Sequence, residues 1–385
     1  MKSSQIPGPH HLTSLQVFRA LAAIWVLVFH VYGISHQEYG TPLDNKFLFA
    51  GGDAISFFFV LSGFIIAYVH WRHLGVPGNV RPYLARRLSR IYPPVFVVVI
   101  LKLLFIASTG SGVEKKALTV DSTVSSLLLL PAPVYLITVL WTLVFEIVFY
   151  VLFSVAVAFG RKAAIAGGLL WTLLVLGRHA LGYPHEHETF LGTISHPLCL
   201  LFLMGAVSSR ILMSSKWMPR LGWLWIPGLV LMAFCVWFYG LLDSLPGSDA
   251  TRAVMRTLLW GLASAMIILS AASCELRNGL RWPAWLNMLG DASYSIYLVH
   301  TSVIMVLIVI LRRAHLSPGS GLVVAMVLAG FAALIASVLF WRWVEKPLMS
   351  WWNRRVMPVM SGGRKLQTAG EEAKPKPALV TEPES

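Results

Sequence analysis

The chain has 385 residues, of which 57% are hydrophobic and only 12% charged, and its mean hydropathy is +0.70. A soluble domain carries about twice that charged fraction, so a water-soluble globular enzyme is excluded and lipid is the expected solvent. The net charge of +14 does not indicate nucleic acid, because the basic residues sit in short segments between apolar runs, the arrangement that orients membrane proteins.

Apolar runs occur at 15–34, 50–70, 91–109, 133–159, 163–182, 194–212, 222–242, 254–274, 289–311 and 320–343. Each is near the roughly 20 residues that a helix needs to cross the hydrocarbon. None shows the period-two alternation of a barrel strand. The expected fold class is all-α, a polytopic membrane helix bundle of about ten spans. Only Gly160, Arg161 and Lys162 divide the stretch 133–182. The first run is read as a span, because it contains an arginine and no small-residue cleavage site. Residues 1–14 and 348–385 flank the spans, and the Lys-, Glu- and Pro-rich stretch from about 361 reads as a disordered tail. No second domain or internal repeat is evident. Cys199, Cys235 and Cys274 lie within apolar runs without CxxC spacing, which indicates neither a disulfide framework nor a zinc site.

Arginine and lysine counts orient the chain. If the N-terminus is inside, the inner segments hold Arg72, Arg81, Arg86, Arg87, Arg90, Arg161, Lys162, Arg210, Lys216, Arg220, Arg277, Arg281, Arg342, Lys346, Arg354 and Arg355. The outer ones hold Lys46, Lys115, Lys116, Arg178, Arg252, Arg312 and Arg313. Both termini are therefore expected in the cytoplasm.

The first run contains Arg19 and His30, eleven positions apart, with Thr13 or Ser14 placed to cap it. That spacing is three turns plus about 20°, so both residues lie on one face, about 16 Å apart along the axis. Each alone suits an interfacial side chain. As a pair on one face they suit a functional site, because ionisable groups within spans are costly. The second run opens with Gly51, Gly52 and Asp53 and has Ser62-Gly63 at its middle. Asp53 either caps the helix or orients the His30 imidazole, and the small pair suits helix packing. Next comes a basic segment, with Arg81, Arg86, Arg87 and Arg90 before Pro93-Pro94. Positive-inside bias explains most of it. Arg87 and Arg90, one turn apart, also suit a phosphate clamp for a cytoplasmic donor.

Glu146 is a lone carboxylate in the fourth run, with Trp141 before it and Tyr150 one turn later. It needs a polar partner, for which Arg19 is a candidate. The ninth run begins with Asp291, Ser293, Tyr294, Tyr297 and His300, a set that suits interhelical hydrogen bonds as well as chemistry. The tenth ends in Trp341, Arg342, Trp343, Glu345, Lys346 and Pro347, which reads as an aromatic belt with a charged stop.

Together these stretches resemble the membrane-bound acyltransferase-3 family, the integral-membrane O-acyltransferases of bacterial polysaccharides, lipopolysaccharides and Nod factors. The resemblance covers about 15–347. It rests on Arg19 and His30; on Gly52, Asp53, Phe58, Phe59, Ser62, Gly63 and Phe64; on Arg87 and Arg90; on Trp141, Glu146, Phe149 and Tyr150; on Gly290, Ser293, Tyr294, Tyr297 and His300; and on Glu345 and Pro347. Ala54-Ile55-Ser56 departs from the pattern before the phenylalanines. The chain looks most like short, single-domain members associated with exopolysaccharide production, without the hydrolase-like domain that some members append.

The resemblance implies a bacterial inner-membrane O-acyltransferase, with acetyl-CoA or another acyl-CoA as donor and a surface or lipid-linked polysaccharide as acceptor. His30, Arg19 and Glu146 are then the expected catalytic residues, and Arg87, Arg90 and Arg86 the donor-binding ones. Asp53, Trp141, Tyr150, Ser293, Tyr294, Tyr297 and His300 would support them. His30 would act as general base on a sugar hydroxyl or carry the acyl group itself. No bound cofactor or metal is expected. A transporter or flippase of a lipid-linked sugar is the rival, since intramembrane charges suit it too. The absence of two repeated halves counts against that rival.

Overall fold

The computed structural model describes residues 12–41, 45–109, 118–183, 186–214, 220–237, 249–314 and 320–363. Ten helices carry the apolar runs: α1 (Thr13–Tyr39), α2 (Ala54–His70), α3 (Val80–Thr109), α4 (Leu140–Phe159), α5 (Arg161–Ala180), α6 (Cys199–Leu212), α7 (Trp225–Trp237), α8 (Asp249–Asn278), α9 (Ser293–Arg313) and α10 (Ser320–Phe340). Among the described residues there is no strand, and nine helical stretches are long and apolar enough to cross a membrane. The exception is α7, with 13 described residues; the remainder of the predicted span 222–242 lies outside the described residues. The fold is thus the expected all-α multi-pass bundle.

The boundaries differ from expectation in three places, each for a local reason. The fourth helix starts at Leu140 rather than 133. Pro131 and Pro133 bias the residues before them away from helix. The connection is instead tied by Tyr135, whose hydroxyl donates to the Leu130 carbonyl at 2.7 Å, and by Ser126 Oγ, which accepts from Leu136 N at 2.9 Å. The basic segment before the third span is helical: α3 runs through Pro93 and Pro94 without a break. Beyond α10 the backbone makes a π-helical turn at Trp341–Glu345 and continues as helices Lys346–Arg355 and Met357–Ser361. Part of the expected tail is therefore packed on α3. Arg81 donates to the Met360 and Val359 carbonyls, and Trp352 Nε1 donates to Ser89 Oγ at 2.9 Å. Residues 364–385 lie outside the described residues. The division after α4 is as expected, made by Gly160 at φ 89°, a left-handed conformation that a side chain would strain.

Small residues set the helix spacing, as is usual where lipid supplies no hydrophobic drive between helices. Gly63 of α2 lies against the Phe202 carbonyl of α6, and Gly205 of α6 against the Val60 carbonyl of α2. A Cβ at either position would overlap backbone. On the other flank, Ala325, Ala329 and Ala333 of α10 pack with Ala23, Leu27 and Val31 of α1 and Ile296, Ile304 and Ile308 of α9. Helix α1 runs between these groups and touches both α9 and α2.

Side-chain links fix which helix ends share a face. Glu275 near the end of α8 accepts from Thr13 at the start of α1, Ser295 near the start of α9 donates to Glu345 beyond α10, and Arg210 of α6 stacks on Trp71 after α2. These ends, with the start of α3, form one face, called here the arginine side. The opposite face carries the Glu38–Arg312 ion pair, at 2.9 Å, and the Asp53–Arg256 contact, at 3.7 Å.

Gly205→Val should cost about 3 kcal/mol or more through overpacking, and the expected readout is loss of the monodisperse peak in detergent gel filtration. Gly167→Ala, where a Cβ meets nothing within 4 Å, should leave that peak intact.

Candidate active site

Helix α1 sets the site. Its first turn leaves backbone N–H groups without helical partners. Thr13 or Ser14 was expected to cap it, but Leu12 occupies the cap position and a carboxylate from α8 does the work. Glu275 Oε1 accepts from Thr13 N at 2.7 Å and from Thr13 Oγ1 at 2.6 Å, while Oε2 accepts from Ser14 N at 2.8 Å. Trp282 Nε1 donates to Ser14 Oγ at 2.9 Å. Gly290 allows the following chain to rest on the Gln16 carbonyl. With its start pinned, α1 presents Arg19 and His30 inward.

Arg19 opens onto a cavity of about 240 Å³ on the arginine side, lined also by Arg87, Arg90, Glu146, Tyr150, Ser62, Ser293, Tyr294 and Tyr297. Residues from α1, α2, α3, α4 and α9 thus converge on one space. Arg19 Nη1 donates to Gln16 Oε1 at 3.3 Å. The expected Arg19–Glu146 ion pair does not form among the described residues; the two face the same cavity. Glu146 is held by hydroxyls. Both Tyr150 Oη and Ser62 Oγ, the latter at 3.1 Å, donate to its Oε1.

Ser62 was expected only as a packing residue. Its role was hidden because a serine next to a glycine reads as a small-residue pair. The expectation for Gly63 was correct.

Arg87 Nη2 lies 2.7 Å from His70 Nε2. Guanidinium only donates, so His70 Nε2 accepts. Arg87 Nε and Ser293 Oγ are buried without a hydrogen-bond partner among the described residues. Arg86, expected as a third donor-binding arginine, does not line the cavity and is exposed; it is turned about 100° from Arg87. Tyr294 donates to the Ile91 carbonyl at 2.9 Å, in the turn where Pro93 and Pro94 bring no N–H. Glu345 was read as part of an interfacial stop. It is buried and accepts from Ser295, and it lies in electrostatic reach of Arg90 and Arg19.

His30 faces His300, with ring centroids 4.9 Å apart. His300 Nδ1 is 2.8 Å from the Ile296 carbonyl, which can only accept, so the proton sits on Nδ1. His300 Nε2 then holds a lone pair and accepts from His30 Nδ1 at 3.2 Å. His30 Nδ1 is also 2.9 Å from the Val26 carbonyl. With both rings neutral, this network leaves the lone pair of His30 on Nε2. Between the cavity and this pair stand Tyr297 and Phe58, which line the cavity and lie 6.1 Å apart by centroids; Tyr297 is 6.0 Å from His300. Tyr297 Oη is paired with Thr142 Oγ1 at 2.6 Å.

Two expected supporting residues lie elsewhere. Asp53 makes no side-chain cap on α2, and its carboxylate sits beside Arg256; the group that meets His30 is His300. Trp141 does not line the cavity and packs beside Phe145 and His187. Among the described residues no group of three or more His, Cys, Asp or Glu side chains is placed to hold a metal.

A family model described as "Acyltransferase domain" matches residues 12–342. The exopolysaccharide production protein ExoZ of Rhizobium meliloti (strain 1021) is 26% identical over 311 residues, covering 78% of this chain and 90% of that protein. The acyltransferase MdmB of Streptomyces mycarofaciens is 28% identical over 382 residues, covering 89% and 92%. Nodulation protein 10 of Rhizobium leguminosarum bv. viciae is 24% identical over 373 residues, covering 88% and 94%. No solved structure matches the chain. The helical bundle and this match define a multi-pass membrane acyltransferase. The chain belongs to the acyltransferase-3 family that its motifs resemble, which decides against the transporter.

Tyr150→Phe and Ser62→Ala each remove one donor from a carboxylate. A hydrogen bond to a charged group contributes about 1.5–3 kcal/mol, so each variant should lower acyl transfer by roughly tenfold or more. Because both act on Glu146 Oε1, the double variant should fall short of the product of the two. A fully multiplicative loss would show that they act separately.

Proposed function

We propose that the protein is an O-acyltransferase that moves an acyl group, acetyl in the first instance, from acyl-CoA on the cytoplasmic side to a sugar hydroxyl of a surface or lipid-linked polysaccharide. The observation that carries this reading is an arginine-lined cavity joined to the His30–His300 pair through Tyr297, which lines the cavity and lies 6.0 Å from His300 by ring centroids. The excess of basic residues on the arginine side supports the reading that this side, with both termini, faces the cytoplasm across the inner membrane.

Arg19, Arg87 and Arg90 give the cavity a positive field that Glu146 offsets only in part. That suits the phosphates of a coenzyme A donor, which guanidinium forks match. The orphaned Arg87 Nε and Ser293 Oγ are further groups that such a ligand would satisfy. The donor's thioester end would extend past Phe58 and Tyr297 to His30, about 16 Å from Arg19 along α1.

His30 Nε2 removes the proton of the attacking hydroxyl. The sugar oxygen bonds to the thioester carbonyl carbon, the C–S bond breaks, and the proton passes from His30 to the departing sulfur. In the transition state His30 becomes an imidazolium, and its Nδ1–H donates to His300 Nε2 and the Val26 carbonyl. These bonds strengthen as the charge develops. His300 is thus a positioning residue that fixes the tautomer. The acceptor class rests on the exopolysaccharide relative.

Proton NMR of surface polysaccharide from a deletion strain should show acyl signals restored by the wild type and not by His30→Ala, a loss of at least about 100-fold. Unrestored signal in both, or equal signal in both, would overturn the assignment. In proteoliposomes, His300→Ala should lower kcat by about 10–100-fold at unchanged acyl-CoA KM, the value of one charge-assisted bond. Arg90→Ala should instead raise that KM.

A further inference from the structure

A second, larger hollow lies away from the arginine cavity. Helix α5 stands off the bundle: of its residues only Trp171 and Val175 are buried. The groove that it forms with α4 and α6 has a volume of about 510 Å³ and is lined by Gly167, Gly168, Trp171, Phe149, Phe153 and Leu203, among others. A Cβ on Gly167 would meet nothing within 4 Å, and one on Gly168 only Leu203 at 3.7 Å. These glycines hollow the wall and do not serve close helix packing. Leu169 and Leu170, which line the groove, and Leu173, which does not, are exposed, as befits a face turned to lipid.

One end of the groove is charged. Arg210, which lines it, lies 4.1 Å over the Trp71 ring, and Arg161 lies 5.7 Å over the same ring. Two cations lie against one aromatic ring, and neither is paired with a carboxylate among the described residues. The feature is therefore an apolar trough ending in two uncompensated guanidiniums at the arginine side. Its polarity along the membrane normal is that of an anionic lipid, apolar for its length and negative at one end.

We propose that this groove is a binding site for an anionic phospholipid of the arginine-side leaflet, with one acyl chain along α5 and the headgroup phosphate on Arg210 and Arg161. It is independent of the reaction proposed above, since it shares no residue with the cavity or the histidine pair. Bound there, the lipid would hold α5, the least buried long helix, against α4 and α6.

The test uses full-length, delipidated protein in detergent, titrated with dioleoyl phosphatidylglycerol, dioleoyl phosphatidylcholine or glycerol 3-phosphate, with thermal unfolding and native mass spectrometry as readouts. Phosphatidylglycerol is expected to raise the unfolding temperature and to remain bound at one per chain, with phosphatidylcholine weaker and glycerol 3-phosphate without effect. Arg210→Gln should weaken phosphatidylglycerol binding by about fivefold, the effect of one cation near an anionic headgroup. Gly167→Leu fills the groove without touching the charges and should weaken both lipids. Equal stabilisation by the two lipids, an equal response to glycerol 3-phosphate, or unchanged binding in Gly167→Leu would overturn the proposal. So would a dimer that Gly167→Leu converts to monomer, since a second copy would then fill the groove.

Discussion

Three hydrogen bonds accepted by one carboxylate, Glu275, decide where the first helix begins. The N-terminus of a helix combines unpaired N–H groups with the positive end of the macrodipole, and Glu275 answers both. The consequence reaches along the whole helix. An error of one residue in the register of α1 would turn Arg19 and His30 by about 100° and move them by about 1.5 Å, removing one from the cavity and the other from His300. The Gly290 contact on the Gln16 carbonyl and the Trp282 bond to Ser14 act at the same end. The precision of the site is thus set at the edge of the bundle, in a group with no part in the chemistry.

The second constraint is the scarcity of water around the polar groups. A charge in a low-dielectric bundle is tolerated when it is bonded or faces a polar cavity. The structure uses two solutions. Glu345 and Glu146 are each bound by hydroxyl donors from neighbouring residues, and Arg87 leans on the neutral His70. None of these arrangements neutralises the arginines by a direct ion pair. A cavity whose cations are supported by neutral groups keeps its field for a ligand, whereas an Arg19–Glu146 ion pair would have spent that field internally.

Much of this was legible in the sequence, for identifiable reasons. The helical period puts Arg19 and His30 on one face and pairs Arg87 with Arg90, but it places Arg86 one turn from Arg90 as well, so the exclusion of Arg86 from the cavity is seen only in the structure. Lone ionisable residues in apolar runs mark themselves, which is why Glu146 stood out. What could not be read are the contacts between distant elements. The 270 positions between His30 and His300 carry no local signal of their contact, and His300 alone suited ordinary interhelical bonding. Asp53 was the more natural partner for an imidazole by chemistry, yet Arg256 lies beside its carboxylate. Glu345 followed an aromatic belt and so resembled a surface stop. The π-helical turn at Trp341–Glu345 is what accompanies its inward placement, and π-turns of this kind have no simple sequence rule.

The proposed reaction also explains why the cavity and the histidines are neighbours without being continuous. In that reaction an acyl-CoA and a surface polysaccharide would come from opposite sides of the membrane, so the group that activates the acceptor would have to stand where the two can meet. An open channel there would admit water, and a general base that can deprotonate a sugar hydroxyl can equally deprotonate water. Tyr297 and Phe58 line the arginine cavity, Tyr297 lies 6.0 Å from His300 by ring centroids, and Tyr297 is anchored by Thr142 and by its bond to the Val139 carbonyl at 3.2 Å. A narrow donor arm can pass an aromatic constriction that a bulk water column cannot wet at low cost. On this view the tyrosine is held in position by its hydroxyl bonds and performs its function with its ring: the bonds fix where the constriction lies, and the ring limits what reaches His30.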